Sequence, residues 1–155
     1  MSTYHWLLTF HITAAFFFLG AAVAAATFNV LAVTSKRPSD AASYLRLIRR
    51  VLPLMLLGMG AALAFGIALW IEVGYSVGAW WIWGAIVLWA ISGGLGQRGG
   101  DHQEKARQLA ESLAAEGDTH TEELRAILRD PRGAAMSYGA GIAVVGILAL
   151  MIWKP

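Results

Sequence analysis

His11 is the titratable side chain with the most chemical promise in this sequence, because it lies inside the apolar run WLLTFHITAAFFFLG from Trp6 to Gly20. Neutral imidazole is a common metal ligand and the usual proximal ligand of haem iron. A buried ionisable group in an apolar span is also a functional hypothesis by default. The sequence therefore predicts that His11 ligates a b-type haem or a metal such as copper. The structural alternative is a hydrogen bond to a helix carbonyl, or to Thr9 or Thr13.

Two further side chains join His11 as candidate cofactor-binding residues. Asn29 lies 18 residues after His11, which is five turns of a helix, so both point to the same face. No other apolar run contains a histidine, which argues against ligation by two histidines from the membrane core. If His11 holds a haem, we expect the iron to be five-coordinate or to take a sixth ligand such as Met59, the most central methionine.

Several classes of function lack the residues that they need. The chain has no cysteine, which excludes disulfides, iron–sulfur clusters and thiolate ligands. No hydrolytic triad is evident, and the run GGLGQRGG from Gly93 to Gly100 lacks the lysine and serine or threonine of a phosphate-binding loop. We interpret that run as a flexible exit from a membrane helix.

The composition is that of a membrane protein, with 57% hydrophobic and only 14% charged residues among 155. A soluble domain carries about 25% charged residues. Because about 20 apolar residues cross a bilayer as a helix, the sequence predicts four spans in one membrane domain, 1–155. Their approximate ranges are 4–33, 51–72, 77–97 and 134–153. The basic residues flank these spans, which argues against a nucleic-acid partner.

The distribution of charge predicts the direction of the spans. Lysine and arginine gather in the first connection and border the third, whereas the connection around 73–79 has neither. By the positive-inside rule, the first and third connections are cytoplasmic. We therefore expect a multi-pass protein of the cell membrane with both termini on the non-cytoplasmic side. Tryptophan and tyrosine residues concentrate at the predicted outer ends.

The connections themselves contain helical signals. Ser39 or Asp40 is predicted to cap an interfacial helix. Pro53 follows near the start of the second span, where its missing amide is tolerated or bends the chain between the two segments. All acids except Asp40 and Glu72 lie in the segment 101–130. Two capping boxes, Asp101 with Glu104 and Thr119 with Glu122, predict a cytoplasmic helical hairpin there, with its first helix ending near Gly117.

Small residues recur every four positions on two predicted spans. The second span has Gly58, Ala62 and Gly66, and the fourth has Ala135, Gly139 and Ala143. Such faces allow close helix packing in lipid. The alternative is that they leave room for a planar ligand such as haem.

These motifs together resemble a family of small predicted integral membrane proteins of unknown function. The resemblance rests on HITAAFFFLG, on the basic loop, on LPLMLLGMGAAL and on the tryptophan-rich third span. That family is similar to the copper-resistance D membrane domain and to the J-type protoporphyrinogen oxidases. The resemblance implies a haem-binding or metal-binding role for the first-helix histidine, here His11. The J-type oxidases pair this histidine with a lysine inside the membrane, and no span here contains one, which argues against porphyrinogen oxidation.

The sequence thus predicts an all-α, integral membrane four-helix bundle whose lipid-facing surface contacts the bilayer. The leading functional hypothesis is that His11 binds haem b for electron transfer or haem handling near the outer face. A second hypothesis is a non-catalytic subunit or assembly factor of a larger membrane complex, contacting other membrane subunits through the segment 101–130. The same features are compatible with a homo-oligomer and with a copper carrier.

Overall fold

The computed structural model describes residues 2–153, and this part of the chain is helical with no β-strand. Five helices follow one another: α1 (Thr3–Thr34), α2 (Pro38–Val73), α3 (Trp80–Ala115), α4 (Glu122–Leu128) and α5 (Pro131–Ile152). The predicted all-α class is therefore confirmed.

The chain divides into two compact units. Within the described residues, those up to Leu31 together with Arg46–Val77 form the first unit. Ala32–Leu45 and the residues from Gly78 onward form the second unit. The predicted first span, 4–33, matches α1.

Helix α2 corrects the prediction of a separate interfacial helix. It runs without interruption for 36 residues, and Pro53 lies inside it. A proline inside a helix removes one backbone hydrogen bond. Neighbouring packing makes that loss tolerable in apolar helices, and the leucine-rich sequence on both sides of Pro53 favours helix.

Helix α3 corrects two more predictions, because it continues through the GGLGQRGG run to Ala115. The run is therefore helical rather than a flexible exit, and no separate helix begins at Asp101. Within this run Gly99 is buried and Leu95 packs against Gly139 of α5, whereas a Cβ on Gly94, Gly96 or Gly100 would meet nothing within 4 Å. A Cβ built on Gly99 would lie 3.7 Å from the Ser137 hydroxyl oxygen, which is ordinary van der Waals contact between α3 and α5.

Leucines of one helix fill glycine positions of the other along the antiparallel pair α3 and α5. A Cβ built on each of three glycines would come within about 3 Å of a leucine methyl carbon. These contacts are Gly84 with Leu150 at 3.1 Å, Gly146 with Leu88 at 2.9 Å, and Gly139 with Leu95 at 3.1 Å. The spacings of four and seven residues along each helix are those of interlocking helices that cross at a small angle. The small-residue face predicted around Gly139 and Ala143 is therefore a packing surface, and Ala143 is buried.

The best-buried apolar cluster of the second unit joins α2, α3 and α4. Leu124 of α4 is fully buried with Ala41, Ala42 and Ala110, and three further leucines pack around them. Helix α4 is capped by the Thr121 side chain, which accepts a hydrogen bond from the Leu124 amide. The predicted cap, Thr119, instead donates to the Gly117 carbonyl oxygen at 3.4 Å. The helix before this turn, α3, ends at Ala115, close to Gly117 as predicted, and Gly117 has a φ of +123°.

Three stretches are long and apolar enough to be membrane spans within residues 2–153: Thr3–Thr34, Pro38–Val73 and Glu122–Ile152. The last stretch comprises α4 and α5, and its apolar part lies in α5. The predicted span 77–97 overlaps the first half of α3, which begins at Trp80, and is not among the three. Its tryptophans, its glycines and Gln97 make it less apolar than the others.

Candidate functional site

His11 is anchored to the neighbouring helix of the first unit. Its Nδ1 lies 2.8 Å from the carbonyl oxygen of Ala62 in α2, and the ring is partly buried. A carbonyl oxygen accepts hydrogen bonds and cannot donate them, so Nδ1 carries the proton and donates. In the neutral ring, the Nε2 lone pair is then available to a ligand.

Two glycines bring α2 close enough for this bond. A Cβ on Gly66 would lie 3.2 Å from Cε1 and 3.3 Å from Nδ1 of His11, so the imidazole occupies the space that a side chain would need. A Cβ on Gly58 would lie 2.8 Å from the Phe18 amide nitrogen and 3.0 Å from the Ala14 carbonyl oxygen. The face predicted at Gly58, Ala62 and Gly66 therefore packs against α1, which fills it.

The Nε2 atom of His11 has no hydrogen-bond partner among residues 2–153. In this part of the chain, every fully buried side-chain nitrogen or oxygen that belongs to a residue that is not itself exposed has a hydrogen-bond partner. Nε2 therefore reaches the surface of the chain. An unsatisfied polar atom within an apolar span is costly unless something outside binds it.

The hydrogen bond expected as the structural alternative for His11 is made to a backbone carbonyl, that of Ala62, and not to Thr9 or Thr13. Thr9 donates its hydroxyl to the His5 carbonyl oxygen at 2.8 Å. Thr13 lines an apolar groove between α1 and α2. Because the Ala62 bond uses Nδ1 and a ligand would use Nε2, the structural and ligand-binding roles of His11 are compatible.

The groove beside Thr13 is distinct from the His11 site. Its volume is about 260 Å³, and His11 is not among its lining residues. Phe10 and Phe65 stack at one part of the lining, with ring centroids 5.2 Å apart. The lining is almost wholly apolar, so the groove offers no ligand atom to a metal.

The other two predicted residues lie at different distances from His11. Met59 is partly buried in α2, three residues before Ala62, or about 4.5 Å along the helix axis. Asn29 is partly buried in α1, about 27 Å along the axis from His11. Asn29 is therefore too far away to contact the same atoms as His11.

No group of three or more histidine, cysteine, aspartate or glutamate residues within 2–153 is arranged to hold a metal ion. His11 is thus a single-imidazole site. A haem needs only one protein ligand on one side of the iron, whereas a bare ion such as zinc needs several.

Sequence reasoning missed a polar contact in the second unit that involves Asp118. One of its carboxylate oxygens accepts from the Ser39 amide, and the other accepts from the Ser39 hydroxyl, both at 2.8 Å. The two bonds, the hydroxyl one first, hold the pKa of Asp118 below its usual value, and nearby Arg37 acts in the same direction. Asp118 thereby caps the start of α2 from another part of the chain. Ser39 and Asp118 are 79 residues apart, and their spacing in the sequence gives no signal of this contact.

His102 is a second missed residue. Its Nε2 donates to the Ile127 carbonyl oxygen at 2.9 Å and lies 3.7 Å from an Asp130 carboxylate oxygen. Asp130 also accepts from the Gly133 amide and so caps α5. His102 therefore ties α3 to the junction between α4 and α5.

The comparisons with known proteins agree with the membrane composition. Searches of curated proteins and of solved structures found no match. A model of one protein family, described as "Predicted integral membrane protein (DUF2269)", matches residues 5–155. The chain therefore belongs to the DUF2269 family of predicted integral membrane proteins.

Proposed function

We propose that this protein binds a b-type haem through Nε2 of His11 and serves electron transfer or haem handling in the membrane. The observation that carries the proposal is the hydrogen bond from Nδ1 to the Ala62 carbonyl oxygen, 2.8 Å long. Ligating histidines almost always donate their other ring N–H to such an acceptor, which fixes the tautomer and orients the ring.

The residues present fit this role on the side of the imidazole. Ala62 holds the proton on Nδ1, and Gly66 leaves the space in which the ring lies. Nε2 is left as the donor atom at the surface of the chain. A bound b-type haem supplies a one-electron redox centre whose potential depends on its axial ligands and surroundings.

Met59 is our proposed sixth ligand, because it lies about one turn from Ala62 on the same helix. Asn29 belongs to this proposal only as a polar residue on the same face of α1. The resemblance of the first-helix histidine to that of the copper-resistance D domain and the J-type oxidases adds support.

The proposal includes the four-span arrangement. Helix α3 contributes the additional span at 77–97, where Trp80 and Trp83 are exposed, as expected at a lipid interface. The positive-inside rule directs the hairpin 101–130 to the cytoplasm and both termini to the opposite side of the cell membrane.

Absorption spectroscopy of the purified protein, expressed with haem supplied, tests the proposal. We expect a Soret band from the native protein that is lost in His11→Ala. His5→Ala is the matched control, because His5 is exposed and its Nδ1 contacts only the nearby Ser2 hydroxyl in the described structure. A native protein without a Soret band, or a His11→Ala variant with the full band, would refute haem binding at His11. Metal analysis of the same two variants tests the copper-carrier hypothesis.

The assembly-factor hypothesis is favoured by the turn between α3 and α4. Glu116, Glu122 and Glu123 are all exposed there, and the Glu122 side chain is 87% exposed even though it pairs with Arg125. Charged side chains at such a turn are available to a cytosolic or membrane partner. Gentle solubilisation followed by sizing tests this function, and a lone small species without any co-purifying protein would argue strongly against it.

A further inference from the structure

Four basic side chains on α3, at the start of α5 and between α4 and α5 are exposed and unpaired within residues 2–153. Arg98, Lys105, Arg129 and Arg132 are exposed, and their side chains have no hydrogen bond or ion pair with any other residue of 2–153. The other cations of the segment 101–130, Arg107 and Arg125, are neutralised by paired glutamates. Arg107, for example, binds both Glu104 and Glu111, each at 2.6 Å.

The four cations surround one point, the place where α3 meets the start of α5. Arg98, His102 and Lys105 lie within an arc of about 60° on α3, given 100° per residue. The middle one, His102, is in contact with the α5 backbone, because a Cβ on Gly133 would lie 2.9 Å from its ring. Arg98 and Lys105 therefore lie one turn to either side of this contact.

The remaining two cations lie at the junction of α4 and α5, Arg129 between the helices and Arg132 in the first turn of α5. Arg129 and Arg132 lie on either side of Asp130, whose carboxylate is 3.7 Å from His102. That carboxylate already accepts from the Gly133 amide at 3.2 Å, so it is engaged in capping α5. Asp101 is the other carboxylate of this region, and it is exposed. Four cations against two carboxylates leave an excess of positive charge.

The position of this cluster along α5 indicates what neutralises it. The cations lie at the end of a candidate membrane span, which is the level of the lipid headgroups. Further along α5 the exposed side chains become apolar, with Tyr138 73% and Ile142 72% exposed. This is the order expected along a membrane span: cations lie at the lipid phosphates, tyrosine lies at the interface, and aliphatic residues lie among the acyl chains.

We propose that Arg98, Lys105, Arg129 and Arg132 form a binding site for the headgroups of anionic phospholipids. A cation near the membrane surface strengthens binding to anionic lipid by about fivefold. The site is independent of haem binding and of the side of the membrane on which it lies. A zwitterionic headgroup has the same phosphate but no net charge, so it binds more weakly.

Native mass spectrometry in mild detergent tests the site by counting lipids retained on the full chain. The protein is titrated with phosphatidylglycerol and, separately, with phosphatidylcholine of the same acyl chains. We expect preferential retention of phosphatidylglycerol. The Arg98→Gln/Arg129→Gln/Arg132→Gln variant should lose roughly a hundredfold in apparent affinity at low salt, and the loss should shrink as salt rises.

Arg125→Gln is the matched control, because it removes a cation of the same segment that is already paired with Glu122. It should retain the native lipid preference. Equal retention of both lipids by the native protein, or an equal loss in the control, would overturn the proposal. Displacement of the lipid by millimolar inorganic phosphate would identify a free-anion site instead and would also overturn it. Circular dichroism shows whether the triple variant is folded, and if it is not, single variants at Arg98 and Arg132 decide the outcome, each with an expected loss of about fivefold.

Discussion

Gly58→Ala is the substitution whose effect follows most directly from the geometry of the first unit. The added Cβ would lie 2.8 Å from the Phe18 amide nitrogen and 3.0 Å from the Ala14 carbonyl oxygen. Both atoms belong to the backbone of α1, so no side-chain rotation relieves the contact. Ordinary contact begins at 3.4 Å, and reaching it from 2.8 Å requires the two helices to separate locally by 0.6 Å.

That separation has a predictable energetic cost. A gap of about 0.5–1 Å removes a quarter to a half of the dispersion energy of the contacts involved. Overpacking a closely packed site costs about 1–3 kcal/mol. A glycine-to-alanine change in a helix also contributes about 0.8–1 kcal/mol of favourable propensity. Comparing Gly58→Ala with Gly60→Ala removes this contribution from the difference in stability. Gly60 lies two residues away on α2, and a Cβ there meets nothing within 4 Å.

The free energy of unfolding of the two variants, measured by titrating detergent-solubilised protein with sodium dodecyl sulfate and following tryptophan fluorescence, provides the comparison. We expect Gly58→Ala to be less stable than Gly60→Ala by about 1–3 kcal/mol. Equal stability of the two variants would refute the inferred close approach of α1 and α2 at Gly58.

Three further predictions concern other contacts. Gly66→Ala should destabilise less than Gly58→Ala in the same titration, because its Cβ meets the movable His11 ring at 3.2 Å rather than backbone; a larger effect at Gly66 would contradict this order. Leu124→Ala should cost about 2–5 kcal/mol in thermal unfolding followed by circular dichroism, since the side chain is fully buried; a loss below about 1 kcal/mol would argue against that burial. Asp118→Asn should lower stability at neutral pH by weakening the two bonds from Ser39. Because the pKa of Asp118 is depressed below 3.8, its contribution is complete above that pH and is lost as pH falls through the lower folded-state value. The unfolding curves of the native protein and Asp118→Asn should converge with acidification, and a constant difference between pH 7 and pH 3 would refute the linkage.

The fold was predictable from sequence where apolar length and small-residue spacing dominate. Helix α1 and the packing faces of α2 and α5 follow the apolar pattern directly. Local signals misled where packing outweighed them. Pro53 and the GGLGQRGG run both have low helix propensity, yet they lie inside continuous helices. A single proline or a group of glycines costs a few kcal/mol, which the contacts of a long apolar helix can offset.

The candidate site divides in the same way. His11 could be identified from one sequence because an imidazole in an apolar run is rare and costly. Its partner could not be identified, because the Ala62 carbonyl is a backbone group that any residue possesses. The contact of Asp118 could not be predicted from the sequence for a related reason. Its partner Ser39 lies 79 residues away, and nothing in the spacing of either residue reveals that the pair meets.

The contacts between leucines and glycines of α3 and α5 also predict how these positions vary within the family. In each pair, the leucine methyl groups of one helix occupy the space that the glycine of the other helix leaves empty. A larger residue at Gly146 requires a smaller one at Leu88, and the same holds for Gly139 with Leu95 and for Gly84 with Leu150. Among relatives that keep this helix pair, these three pairs of positions should therefore change together, with the summed side-chain volume of each pair varying less than the volume at either position.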